Sequence, residues 1–167
     1  MKQDEIEVPT VGEINNFQIT HLLRDIPEYL GDFDNHTIPE FDKSIPQAAI
    51  FNITPAKPYI QHPNGQYGPN GSHWVALYYS PSDKAVDYFD SYGVPPSEEI
   101  VKLMKTLGQA RYSNDTIQPK FSIACGYYCV AFIKERSKGT LASDFLNYFA
   151  VPAELQNDEI AYSIATS

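Results

Sequence analysis

The chain has 167 residues, 43% of them hydrophobic and 20% charged, which suits one soluble globular domain with a core of ordinary size. No apolar run approaches the ~18 residues that a membrane span requires. The N-terminal Met1-Lys2-Gln3-Asp4-Glu5-Ile6-Glu7 also lacks the apolar centre of a signal peptide, so the chain reads as neither membrane-bound nor secreted. The net charge is −9, and no segment gathers more than a few basic residues. This argues against nucleic acid as a partner.

In chain order, residues 1–12 are acidic, show no periodicity and read as a loose arm. Residues 15–25, with Ile26 just beyond, place Ile19, Leu22, Leu23 and Ile26 at helical spacing behind Asn15 or Asn16 as N-cap, and Pro27 limits the helix. Residues 27–46, rich in Pro, Gly, Asp and Asn, read as a long loop, and 47–53 (QAAIFNI) as a short buried strand. Residues 56–72 read as a second loop. The aromatic and β-branched runs 73–79 and 84–90, joined by Ser80-Pro81-Ser82-Asp83, predict a β-hairpin around a type I turn, because Pro81 cannot adopt the positive φ of a primed turn. Ser97 caps a helix over 97–107 that carries glutamates in its first turn and ends at Gly108. Residues 110–117 suggest a strand, 124–138 an apolar helix ended by Gly139, and 143–150 a short helix stopped before Pro152. Little beyond Ala150 predicts further helix. Strands in the middle and helices at either end indicate an α+β domain spanning 1–167, with a central mixed or antiparallel sheet flanked by helices.

In the expected hairpin register His73 lies directly across from Asp90, with both side chains on one face. Asp87 lies opposite Ala76 and points to the other face. A carboxylate beside an imidazole is what a general base needs, although most His–Asp neighbours are structural. The only two cysteines are Cys125 and Cys129. On one helix their Cα atoms would stand about 6 Å apart, but side-chain directions make a bridge unusual, and a lone C-x-x-x-C is a weak zinc signal. No metal or other cofactor is expected. Cys125 falls where Phe121-Ser122-Ile123-Ala124 gives way to the apolar helix. A thiol there feels the positive end of the helix dipole, which favours the thiolate. Nucleophile and buried core thiol are both open readings for it. Cys129, one turn further in, reads as a core thiol. Gly126 permits close backbone approach by a substrate. Gln118, seven residues before Cys125, could donate to a developing oxyanion beside the Cys125 N–H. His21 reads as a helix-surface residue, and His36 and His62 as loop residues without an acid partner.

The segment GSHWVALYYSPSDKAVDYFDSYG followed by QPKFSIACGYYCVAF resembles the adenovirus maturation protease family, adenain. The match lies in His73-Trp74 opening a strand, Asp90 17 residues after His73, and Gln118 seven residues before Cys125-Gly126. Residues 29–34 and 48–52 resemble the N-terminal part of that family more faintly. SUMO-deconjugating proteases and bacterial effector acetyltransferases share the constellation more distantly.

The resemblance implies a papain-like thiol protease. Cys125 would be the nucleophile, His73 the base, Asp90 the acid that orients it, and Gln118 a donor of the oxyanion hole. Cleavage would follow small residues, usually glycine. Trp74 is either a wall of the narrow cleft or a core aromatic. The chain has no third cysteine, so any peptide activator would not be disulfide-linked. The resemblance further implies a small relative from another double-stranded DNA virus, a virophage or a virus-like transposon. It would process capsid or core precursors in the virion or in the cytoplasm or viral factory of the host cell. The rival readings are a deconjugating protease or acyltransferase acting on host proteins, with Phe33, Phe41 and residues 56–72 as a docking surface, and a catalytically silent capsid component.

Overall fold

The apolar runs of the sequence become the inner strands of a sheet, and the amphipathic runs become its covering helices. A computed structural model describes residues 10–34, 37–53, 59–61, 67–69 and 73–167. In chain order the elements are α1 (Asn16–Leu22), β1 (Tyr29–Asp34), β2 (Gln47–Ile53), β3 (Tyr59–Gln61), β4 (Tyr67–Pro69), β5 (His73–Ser80), β6 (Ala85–Phe89), α2 (Glu98–Leu107), β7 (Gln109–Tyr112), α3 (Cys125–Ser137), α4 (Ala142–Leu146) and α5 (Gln156–Ala165). Five strands form one sheet in the order β1-β2-β5-β6-β7, and β3 pairs with β4 in a separate ribbon. The two outer pairings, β1 with β2 and β6 with β7, are parallel, and the two inner ones are antiparallel. The sheet is therefore mixed.

Each face of the sheet is covered. Ala49, Phe51, Val75, Leu77, Val86 and Tyr88 meet Ile100, Met104 and Leu107 of α2 on one side. On the other side Ala48, Ile50, Ala76, Tyr78 and Phe89 meet α3, which is buried along nearly its whole length, with α1, α4 and α5 outside it. Because every strand position is matched by apolar surface, β5 and β6 read as continuous apolar runs rather than as alternating ones. The helix starts follow their sequences. Asn15 and Gln18 form a reciprocal capping box on α1, and the Ser97 hydroxyl accepts the Ile100 N–H at the start of α2.

Several expectations are corrected. The first predicted loop contains β1, a six-residue edge strand; its composition hides it because Gly31, at φ +133°, sits in an irregular register between Tyr29 and Asp32. The second contains β3 and β4, while residues 54–58, 62–66 and 70–72 of that loop lie outside the described residues, as do His36, His62 and residues 1–9 of the N-terminal arm. Val11 of that arm packs against the core around α3. Strand β7 stops at Tyr112, and α4 ends at Leu146. The stretch after Ala150 is not bare: α5 runs over ten residues and buries Asn157, Asp158, Ala161 and Ala165. Only two apolar positions on its inner face are sealed, and both are alanines, so its periodicity is faint in sequence.

The hairpin turn also differs. Its loop is Pro81–Lys84 rather than 80–83, because Ser80 continues the strand opposite Ala85 and Lys84 takes the positive φ of +50° that ends the turn. Tyr78 therefore faces Asp87, and the register is moved by two residues from the expected one. A two-residue move preserves side-chain parity, so His73 and Asp90 stay on the same face, now diagonal rather than directly opposed.

After β6 the chain makes a tight turn over residues 90–93, closed by the Gly93 N–H on the Asp90 carbonyl at 2.9 Å. Gly93 has φ +72°, and a Cβ there would stand 2.4 Å from the Asn114 carbonyl oxygen. Gly93→Ala is expected to lower stability by roughly 2–4 kcal/mol, since strain and a backbone clash coincide. The urea midpoint of the full chain measures this, and an unchanged midpoint would contradict it.

Candidate active site

Three elements converge at one end of the sheet. His73 is the first residue of β5, Asp90 lies just past β6, and Cys125 is the first residue of α3. His73 Nε2 meets Asp90 Oδ1 at 2.8 Å, with the two side chains 14% and 2% exposed. The Tyr92 N–H donates to the same carboxylate oxygen at 2.8 Å. With Nε2 committed to Asp90, the other ring nitrogen is left for Cys125, which lies near enough to raise the His73 pKa. Burial alone would lower the imidazole pKa. The hydrogen bond to Asp90 and the negative charge of Asp90 and Cys125 outweigh it, and His73 is pushed up to about 9. The Tyr92 ring lies tilted against His73 at 5.2 Å. Burial first, then the nearby charges of Cys125, Asp158 and Asp90, raise the Tyr92 pKa, so its hydroxyl remains a donor, here to the Ser122 carbonyl at 3.1 Å.

Asp87 is engaged elsewhere. It accepts two bonds from Arg111 at 2.9 Å each and pairs with the buried Arg136 at 3.2 Å. Cys129 is fully buried within the α3 core, and its pKa is raised well above that of a free thiol, chiefly by burial, so it stays protonated. Both cysteines are free. Among the described residues, no group of three or more His, Cys, Asp or Glu side chains is placed to hold a metal ion.

Gln118 is buried in the segment leading to Cys125. Its Nε2 donates to the Ser122 carbonyl at 3.0 Å and to Ser122 Oγ at 3.1 Å, while its Oε1 accepts from the Ser91 hydroxyl. The Ser91 carbonyl in turn accepts the Ile117 and Gln118 N–H groups at 2.9 and 3.0 Å. Ser91, which sequence reasoning missed, thus joins the residue after Asp90 to Gln118. The only sequence signal was its place beside the acid.

Trp74 sits where its core reading puts it, packed against the α3 core. The open groove it also lines, with Ile14, Asn15, Asp32, Phe33 and Asn52, does not include Cys125, His73, Asp90 or Gln118. A Cβ on Gly126 would stand 2.6 Å from Ile14 Cγ1 and 3.4 Å from Trp74 Cδ1. The space that glycine leaves is filled by the chain's own side chains. Phe41 is a buried member of the core beneath α2, so it offers no docking surface, whereas Phe33 is partly buried at the groove. His21 is exposed on α1.

Comparison with solved structures places this geometry in context. Two crystal structures of the ASFV pS273R protease, one of them with selenomethionine, superpose on the chain with TM-scores of 0.60 and 0.59. The chain shares its fold with that protease. The identity is 16% in both, over 95% of this chain and 67% and 68% of theirs. The fold is the papain-like α+β class expected from the sequence, with a mixed sheet flanked by helices. No protein-family model matches the chain, and no curated protein does.

The raised His73 pKa has a definite consequence for stability. The folded value, about 9, lies above the ~6.5 of an unfolded histidine, so the folded chain binds the extra proton between them. The His73 contribution is fully present below that window and is lost as pH rises through it. The melting-temperature advantage of wild type over His73→Ala should shrink steadily from pH 6.5 to 9. An advantage that stays flat or grows would contradict the shift.

Proposed function

We propose that the chain is a cysteine endopeptidase with Cys125 as nucleophile, His73 as acid–base and Asp90 as the acid that orients it. The observation that carries this is the position of His73, bonded through Nε2 to Asp90 and interacting with Cys125 at the start of a buried helix. An imidazole whose pKa lies near 9 is protonated at neutral pH, and a cation beside a helix N-terminus favours a thiolate there. The thiolate adds to a peptide carbonyl, forming the C–S bond as the carbonyl oxygen takes up the negative charge. The Cys125 N–H receives that oxygen, joined by Gln118 Nε2 once one of its two N–H groups exchanges its bond to Ser122 for the oxyanion. His73 then protonates the leaving amine, the C–N bond breaks, and the thioester left behind is hydrolysed by water that His73 deprotonates.

Cleavage follows small residues, glycine foremost. This preference rests on the resemblance of His73-Trp74, Asp90, Gln118 and Cys125-Gly126 to adenain. The resemblance to adenain is also the ground for capsid or core precursors as substrates, processed in the virion or in the infected cell. A peptide activator, if one exists, binds without a disulfide, because Cys125 is the nucleophile and Cys129 is sealed in the core.

Digestion of a broad peptide library by the purified chain should yield cuts after glycine. Cys125→Ala should abolish them, and Cys129→Ala should retain them. Cleavage that survives Cys125→Ala would overturn the assignment. Asp90→Asn should cost on the order of 10²–10⁴ in kcat, by analogy with removing the orienting acid of a serine protease triad. Asp87→Asn should cost less per folded molecule, since Asp87 belongs to the arginine cluster. An equal or reversed ranking would assign the wrong acid.

A further inference from the structure

We infer that Asp158, on the last helix, is a positioning residue for the oxyanion donor Gln118 and acts through the Ser122 hydroxyl. The inference rests on the oxyanion role proposed for Gln118. Asp158 is buried in the first turn of α5, 36 residues along the chain from Ser122. Its Oδ1 accepts from Ser122 Oγ at 2.9 Å and from the buried Tyr128 hydroxyl at 2.7 Å. A serine hydroxyl has one proton to give. With that proton directed at Asp158, Ser122 Oγ can act only as an acceptor towards its other neighbours. Those neighbours are Gln118 Nε2 at 3.1 Å and the Ala124 N–H at 3.2 Å.

This settles which way round the Gln118 amide sits. Nε2 faces the Ser122 carbonyl and hydroxyl oxygens, and Oε1 faces the Ser91 hydroxyl. A flipped amide would set Oε1 against two oxygens, neither with a proton to offer, and leave a buried acceptor unpaired. It would also turn an oxygen towards the developing oxyanion. Without Asp158 the Ser122 hydroxyl is free to rotate and donate to a flipped Oε1, and the bias falls to what the Ser122 carbonyl alone supplies. The neighbouring Asn157 fixes the rest of the loop: its Nδ2 donates to the Ile117 carbonyl at 2.8 Å and to the Ala150 carbonyl at 2.9 Å. The first turn of α5 therefore holds the segment before Cys125 at two points.

The test uses two reagents on the full chain, both reading Cys125 by mass spectrometry. Iodoacetamide alkylates the thiolate and releases iodide, with no oxyanion formed. A peptide ending in glycinal adds to the same thiol as a hemithioacetal, whose oxygen occupies the oxyanion position, and so protects Cys125 from iodoacetamide. Asp158→Ala should weaken that protection about tenfold or more while leaving alkylation without the aldehyde within about twofold of wild type. Asp158→Asn, which keeps an acceptor oxygen, should restore most of it. Combined with Gln118→Ala, Asp158→Ala should add no further loss, because both act on one donor. Should Asp158→Ala fail to fold by circular dichroism, Ser122→Ala carries the same expectations.

Protection unchanged in Asp158→Ala, a loss fully additive to that of Gln118→Ala, or an equal fall in alkylation would overturn the positioning role. A wild-type chain that is alkylated at Cys125 but not protected by the aldehyde would overturn the protease reading itself, and with it the oxyanion role on which this inference stands.

Discussion

The arrangement of the molecule depends on the burial of α3. From Tyr128 to Ile133 every side chain of this helix is sealed, so it has no solvent face to spare. A helix apolar all round must be covered on all sides. The sheet supplies one side through Ala76, Tyr78 and Phe89, and α1, α4 and α5 supply the others. Phe89, Phe132 and Phe145 interlock at ring separations of 4.8 to 5.7 Å, which fixes how the helix lies on β6. Once that packing is made, the N-terminus of α3 has one place to emerge. It emerges beside the start of β5 and the end of β6, where His73 and Asp90 stand.

Much of this was legible in the sequence because short-range rules govern it. The His73–Asp90 pair follows from hairpin parity, and parity survives the two-residue difference in register because side chains alternate with period two. A one-residue difference would have separated the pair, so the reading depended on the loop being four residues long and not on where the loop began. The roles of Ser97, Asn15, Gly108 and Gly139 at helix ends follow from local capping chemistry in the same way. The choice between Asp90 and Asp87 was also local: alternation alone sends Asp87 to the face where Arg136 lies over the Tyr78 ring.

What the sequence hid depends on contacts that are distant along the chain. β1 exists because β2 offers it a parallel edge, and YLGDFD has too little alternation and an interrupting glycine, so nothing local announces a strand. α5 is concealed for a different reason. Its inner face is built of alanines and of Asn157 and Asp158, and two buried polar residues in a helix look like a solvated surface until their partners are known. Those partners, Ser122, Tyr128, Ile117 and Ala150, lie up to 40 residues away. Burial pushes the Asp158 carboxyl above its usual range while the bonds from Tyr128 and Ser122 oppose the shift, the mark of a carboxylate kept inside for its hydrogen bonds.

These distant contacts make the acid and the oxyanion donor parts of one framework. Asp90 is followed directly by Ser91, whose carbonyl takes two N–H groups of the Gln118 segment and whose hydroxyl donates to the Gln118 side chain. Tyr92 completes the tie, donating its N–H to Asp90 and its hydroxyl to the Ser122 carbonyl. A shift of the turn at 90–93 therefore displaces the carboxylate on His73 and the amide before Cys125 together. The turn at 90–93 is thus shared by both halves of the site, while the final helix touches only the oxyanion half. It also explains why Gly93 is required at the end of that turn, where the backbone of residues 114–115 leaves no room for a side chain. The geometry around the thiol is thus set from two directions, by a turn locked between β6 and the Gln118 segment and by a final helix that fixes the proton of one serine.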